Sequence, residues 1–321
     1  MTRVAHALIL VGALAAAAGA QDLSGIVRDS VTRRPIAGAV LTLRDSSGAT
    51  VTSRLTDERG EFRIAAIGAT RSLRVVRIGF EPRTVALPAG MEPGSRLDLT
   101  LLALPSMLNP IRVVTNSSCP TRKDAPVAMG LWAQARAGLL ATVVARQRNP
   151  ASIRRLIFQQ MMVENGDRIE SMRVRADSSM DTISFVASRT AQDFVKFGFR
   201  HDSAGRRTTF GPDAVVLLSD DFAAAYCFRV TGDGKRRPRE IGIRFLPAVT
   251  GDDRTDIDGT LWIDTVAREI RDVEFTYLGA PGRMEKYHPG GRVWFRTMPN
   301  GVVLVDRWSI RSVGVAADTV W

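Results

Sequence analysis

The constraint that weighs most on this chain is its rhythm. From Leu23 onward apolar residues recur at every second position in runs of strand length, and turn-forming residues cut the runs apart. Side chains on a strand alternate between two faces, so such runs bury one face each and predict a mainly β protein. Between Leu23 and Leu104 the runs are "LSGIVRD", "RPIAGAVLTLRD", a hairpin in "TVTSRLTDERGEFRIAAI", a second in "RSLRVVRIGFEPRTVAL", and "SRLDLTLLAL". Their alternation and the turn signals between them predict an all-β sandwich over residues 21–104. In "TDERGEFRI" the carboxylate of Asp57 can cap a tight turn, and Gly60 supplies the backbone angles that returning the chain requires.

One segment breaks the rhythm. "VAMGLWAQARAGLLATVVARQR", Val127 to Arg148, follows a period near 3.6, with Leu131, Ala135, Leu139, Thr142 and Val143 on one face, and Asn149-Pro150 stops it. Trp132 reads as a core anchor, and Gly138 weakens the helix centre. Residues 105–126, rich in Pro, Asn and Ser, read as a linker. Beyond the helix the two-residue period returns: "IRRLIFQQMMVE" and "RIESMRVRAD" flank the hairpin signal Asn165-Gly166, then come "DTISFVAS" and a series of long antiparallel strands from "AAYCFRVTGD" to "VVLVDRWSIRSVG". The expected second domain, 127–321, is one twisted antiparallel sheet wrapped around one helix.

Residues 1–20 stand apart. Arg3, the apolar run from Ala7 and the Ala18-Gly19-Ala20 site have the form of a signal peptide cut before Gln21, and the run is too Ala-rich and short to read as a membrane anchor. Export to the periplasm or the outer-membrane surface follows as an expectation, with no transmembrane segment in the mature chain. In an oxidising compartment the two cysteines, Cys119 and Cys227, are expected to form one disulfide. The net charge of +11 at pH 7, of which Arg3 would leave with the leader, favours anionic surfaces such as acidic glycan or anionic lipid. Export argues against nucleic acid. The most concentrated basic stretch is "GDGKRRPRE", where Lys235, Arg236, Arg237 and Arg239 are expected on one hairpin tip, as a solvated turn or as an anionic-partner contact.

The first eighty mature residues resemble the carboxypeptidase regulatory-like domain, a seven-stranded Ig/transthyretin-like sandwich found beside zinc carboxypeptidases and at the front of TonB-dependent receptors. The match runs through "SGIVRDSVTRRPIAGAVLTL", "TDERGEFRI" and "LRVVRIGFEP", on Gly25, Pro35, Gly38, Thr56, Asp57, Gly60, Phe62 and Gly79 among others. The resemblance implies an accessory module with no catalytic residue. Over nearly the whole mature chain the sequence is also similar to exported bacterial proteins that carry this module, a Cys before an "LWxxAR" helix and a later "Cys-Phe-Arg", here Cys119, Leu131 to Arg136, and Cys227 to Arg229. That similarity favours the disulfide and implies no activity. The "GTLWID" and "IRDVEF" strands resemble, at a distance, those of bacterial lipoprotein-carrier folds, which implies an apolar cavity between helix and sheet.

Patterns that carry chemistry are scarce. Zinc hydrolysis needs three ligands and a base, yet His201 and His288 stand alone without an H-x-x-E or H-E-x-x-H pattern. There is no G-x-S-x-G elbow, and His201, Asp202 and Ser203, being adjacent, cannot form a relay; they read as a solvated loop. Glycine motifs for phosphates or dinucleotides are missing, so no cofactor is expected. Asp220-Asp221 and the "GDDRTDIDGT" acids, Asp252, Asp253, Asp256 and Asp258, could ligate calcium, but turn and strand-entry chemistry explains them as well. The expected function is non-catalytic: an exported envelope protein that binds a partner, glycan or anionic surface. The alternatives are a periplasmic carrier of lipid or hydrophobic ligand, and a hydrolase with unrecognised carboxylates.

Overall fold

The structure is a computed structural model that describes residues 21–66, 70–88, 96–103, 125–148, 153–163, 168–179, 189–203, 206–212, 216–217, 219–250, 254–279, 287–312 and 319–320. It is mainly β. The expected leader, residues 105–124 of the expected linker with Cys119, and "DTISFVAS" lie outside the described residues.

Seven strands make the N-terminal sandwich: β1 (Gln21–Asp29), β2 (Val40–Asp45), β3 (Thr50–Leu55), β4 (Glu61–Ala66), β5 (Thr70–Val76), β6 (Arg83–Ala86) and β7 (Arg96–Leu101). They form two sheets, ordered β4-β1-β7 and β3-β2-β5-β6. Strand β1 pairs antiparallel with β4 and parallel with β7. Val27, Leu41, Leu43, Ile64, Leu73 and Val75, all fully buried, fill the space between the sheets. The reading of β3 and β4 as a hairpin is corrected here, because the two strands belong to different sheets. The chain crosses from one sheet to the other at Thr56, whose buried hydroxyl donates to the Ile36 carbonyl at 2.7 Å and accepts from the Ala39 N–H at 2.8 Å. Those bonds hold the crossing chain to the β1–β2 loop. Asp57 then accepts from the N–H groups of Arg59 and Glu61, and Gly60 takes φ +72° where a Cβ would press on the Val27 carbonyl.

Helix α1 (Ala125–Arg148) starts two residues before the expected Val127. The rest comprises β8 (Ile153–Met162), β9 (Ile169–Ser179), α2 (Ala191–Phe197), β10 (Arg200–Ser203), β11 (Arg206–Thr209), α3 (Asp220–Ala225), β12 (Tyr226–Thr231), β13 (Glu240–Pro247), β14 (Asp256–Asp264), β15 (Glu269–Leu278), β16 (Gly290–Thr297), β17 (Val303–Arg311) and β18 (Thr319–Val320). A single wrapping sheet was expected, but the described strands divide among three. Strands β12 to β17 form one antiparallel six-stranded meander, β10-β11-β18 a small second sheet, and β8-β9 a separate ribbon. The short helices have local causes that apolar periodicity does not register. Thr190 and Asp193 make a capping box at α2, and Ser219 caps α3 by accepting from the Phe222 N–H.

Helix α1 lies between the sandwich and the meander. Trp132, Ala135 and Leu139 face the meander, where the Trp132 ring packs 4.5 Å from Phe228 and 5.9 Å from Phe222, both measured between centroids. Its other side takes the sandwich: Gln134 accepts from the Gly79 N–H at 3.1 Å, and a Cβ on Gly138 would collide with Ile78. The glycine that weakens the helix in sequence terms is therefore what lets the β5–β6 loop approach it. Ile78 crosses the boundary expected at residue 104, since its side chain belongs to the core of the meander. Arg268, in the β14–β15 turn, stacks on Phe80 and sits 3.7 Å from Asp29.

Candidate functional site

The seam between sandwich and body opens into a groove of about 620 Å³. Ser24 and Gly25 of β1, the end of β3, the Thr56-Asp57 crossing and Glu61 to Arg63 of β4 form one wall. Val144 and Ala145 of α1, with Asn300 and Val302 of the β16–β17 turn, form the other. Gly25 is required in this wall because a Cβ there would lie 2.7 Å from the Phe62 ring. Leu55, Phe62, Val144 and Val302 give the groove an apolar lining, and Arg54, Asp57, Glu61, Arg63 and Arg96 give it a charged rim. Arg96 pairs with Glu61 at 3.3 Å and Arg63 lies 3.9 Å from Asp22, both at exposed positions where an ion pair yields easily to a ligand. Apolar walls with convergent polar groups at a junction of two units are the usual form of a small-ligand site. Sequence reasoning missed this groove because its lining comes from four strands, a helix and a turn, no two of which form a motif.

The basic tip does not act as one cluster. Lys235, Arg236 and Arg239 are exposed, whereas the Arg237 side chain is only 13% exposed and turns inward. Its guanidinium bonds Glu240 at 2.5 Å, Asp272 at 3.1 and 3.2 Å and Glu274 at 2.7 Å, and it stacks 4.4 Å from the Trp262 ring centroid. Arg292 grips the same Asp272 with two bonds of 3.0 Å, and the Trp262 indole N–H donates to Glu274. Arg237 is thus a brace on the outer face of the meander and is withdrawn from any partner contact. Burial opposes its charge, but Asp272 and Glu240 outweigh that and raise its pKa further.

The acidic residues are absorbed locally as well. Asp256 is buried against Arg254 at 2.9 Å, and desolvation raises its pKa. Asp258 pairs with Arg244 at 2.7 Å, while Asp252 and Asp253 lie outside the described residues. Asp220 is in the first turn of α3 and meets Arg136 of α1. Asp264 closes the β14–β15 turn, accepting from the N–H groups of Val266 and Ala267 and pairing with Arg271. Among the described residues no three His, Cys, Asp or Glu side chains converge to hold a metal ion. His201, Asp202 and Ser203, expected in a solvated loop, lie instead in β10, with His201 opposite Thr208, and His288 lies far along the chain before β16. Cys227 is buried in β12 next to Phe228.

The space a carrier would keep open between helix and sheet is filled. Trp132, Phe222, Tyr226, Phe228 and Phe245 stack there in one aromatic cluster, with Phe222 and Tyr226 4.0 Å apart between centroids. No described helix is long and apolar enough to cross a membrane.

The Thr56–Gly60 crossing, the Gly25 contact and the two-sheet sandwich together mark the first module. Residues 22–102 match the carboxypeptidase regulatory-like domain family. The likeness of this regulatory-like domain to the front of TonB-dependent receptors rests on sequence motifs alone. No curated protein matches the chain. Among solved structures, the shaft pilin SpaA of Lactobacillus rhamnosus GG aligns at 15% identity over 26% of this chain and 46% of that one, with a TM-score of 0.21. The major pilin subunit BcpA of Bacillus cereus aligns at 15% identity over 26% and 29%, TM-score 0.20. A 9R-lipoxygenase from Cyanothece PCC8801 aligns at 13% identity over 80% and 39%, TM-score 0.20. The chain spans less than half the length of each, and overlaps of this depth carry no argument about function.

Proposed function

We propose that the chain is an exported, non-catalytic binding protein of the bacterial cell envelope, with the regulatory-like domain and the body joined into one binding unit. The observation that carries this reading is the seam groove, whose walls come from both halves and whose apolar lining under a charged rim suits the ring faces and hydroxyl edges of an envelope glycan. The packed aromatic cluster under α1 favours it over a carrier. The pairing of Asp256, Asp258 and Asp264 each with its own arginine favours it over a hydrolase. The leader expected at residues 1–20 supplies the export, and a bridge between Cys119 and Cys227 would tie the linker to β12. Lys235, Arg236 and Arg239 add a secondary contact for anionic groups.

The test is co-sedimentation of the mature protein with purified peptidoglycan sacculi, beside an Ala145→Trp variant that fills the groove. Retention of the first and loss of the second is the expected result. Equal retention of both removes the groove from the reading. Turnover against a hydrolase panel, abolished by one point substitution, overturns the non-catalytic assignment.

A further inference from the structure

The β8–β9 ribbon contributes no residue to either core and is amphipathic in an unusual direction. Its register places Leu156 opposite Ala176, Phe158 opposite Val174 and Gln160 opposite Met172, so these side chains share one face, joined beyond the bulge by Met162 opposite Ile169. That face is open: Leu156 is 60% exposed, Phe158 and Met172 54%, and Val174 53%. Arg155, Arg173 and Arg175 belong to the other face, as does Arg168, opposite Val163. Among the described residues the ribbon pairs with no third strand; two strands by themselves are at best marginally stable in water, and an apolar patch of this extent on a soluble protein marks a contact surface.

We propose that this face is covered by the same face of a second copy, the two ribbons stacking across a two-fold axis into a four-stranded sandwich. Three observations choose this occupant. The exposed parts of Leu156, Phe158, Met162, Ile169, Met172 and Val174 amount to roughly 600 Å² per copy, hence roughly 1,200 Å² for a pair, which reaches the lower bound for specific association. The row of apolar pairs runs from Leu156–Ala176 to Met162–Ile169 and is centred between Phe158 and Gln160, so a two-fold axis there lays the patch on itself, as an isologous contact demands. The same axis brings the open end of one ribbon, with exposed Arg154, over the turn end of the other, with exposed Glu170. A lipid surface would answer the apolar face but leaves Glu170 without a counterpart. The pairing is independent of the seam groove, with which the ribbon shares no lining residue.

Sedimentation equilibrium of the mature protein decides it, read with Phe158→Glu, with Arg154→Glu, and with Arg154→Glu combined with Glu170→Arg; the urea midpoint of each variant checks folding. The expected wild-type result is a dimer dissociating in roughly the micromolar range. Phe158→Glu is expected to give a folded monomer, Arg154→Glu to weaken the dimer several-fold, and the double reversal to restore it. A wild-type protein that stays monomeric overturns the proposal, whether it floats with phosphatidylglycerol vesicles, which would assign the face to lipid, or does not, which would leave it to another segment of this chain. A dimer untouched by Phe158→Glu overturns it equally.

Discussion

Gly38 and Gly301 face each other across the seam so closely that a Cβ on Gly38 would lie 2.5 Å from the Cα of Gly301. One belongs to the regulatory-like domain and the other to the β16–β17 turn, and both take positive φ, +66° and +79°. Gly38→Ala and Gly301→Ala should each cost about 1–3 kcal/mol through backbone strain and loss of close approach. Urea titration measures this, and the double variant should depart from additivity because both methyl groups compete for the same space.

The insertion of Ile78 into the body's core predicts that the two halves unfold together. Calorimetry of the wild type should show one transition, and Ile78→Ala, a loss of about 2–4 kcal/mol, should broaden it or split it in two. Two resolved transitions in the wild type would contradict the coupling.

Within the basic tip, stability and anion binding should separate by residue. Arg237→Ala removes one of two guanidinium partners of Asp272, which is 4% exposed, and should cost about 2–3 kcal/mol. Lys235→Ala and Arg236→Ala should stay within about 0.5 kcal/mol while reducing retention on heparin resin.

Acid should loosen the seam. The N–H of Thr32 foremost, then that of Val31 and the Arg268 guanidinium, hold the Asp29 carboxyl below its ordinary value of 3.8 against the effect of burial. For Asp264 burial is the largest influence and is upward, yet the Ala267 N–H and Arg271 together carry its pKa below the ordinary value. A carboxylate whose folded pKa is depressed stabilises fully above its unfolded pKa, and that contribution disappears as pH falls through the folded value. Melting temperature should therefore drop below about pH 4. Asp29→Asn should melt lower than wild type at pH 7, with a shallower fall in acid.

Peptide mass mapping without reductant should recover Cys119 joined to Cys227. Because the bridge closes a loop of about a hundred residues, Cys227→Ser should destabilise by about 4–5 kcal/mol in the chain-entropy view. Two free thiols in protein recovered from the periplasm would remove the bridge.

The sequence disclosed those features that a local period or turn chemistry encodes. The alternation in "LRVVRIGFEPRTVAL" became the β5–β6 hairpin, and "GTLWID" and "IRDVEF" became neighbouring strands. What stayed hidden depends on contacts distant in the chain. Nothing near Thr56 says that β3 and β4 enter different sheets, since the partners that hold the crossing, Ile36 and Ala39, lie 20 and 17 residues earlier. Arg237 looks like any surface arginine until Asp272 and Glu274, more than thirty residues away, come alongside it. The short helices α2 and α3 were missed because their caps, Thr190 and Ser219, stand beside too few apolar positions to show a period.

Helix α1 gives one flank to each half, with Gln134 and Gly138 serving the sandwich and Trp132 and Leu139 the meander. Cutting the gene at the linker would sever a graft rather than a hinge: an excised sandwich would carry Ile78 as a bare plug, and an excised body would keep the vacant socket. Anyone wishing to transplant the module onto another scaffold would have to move the splint along with it.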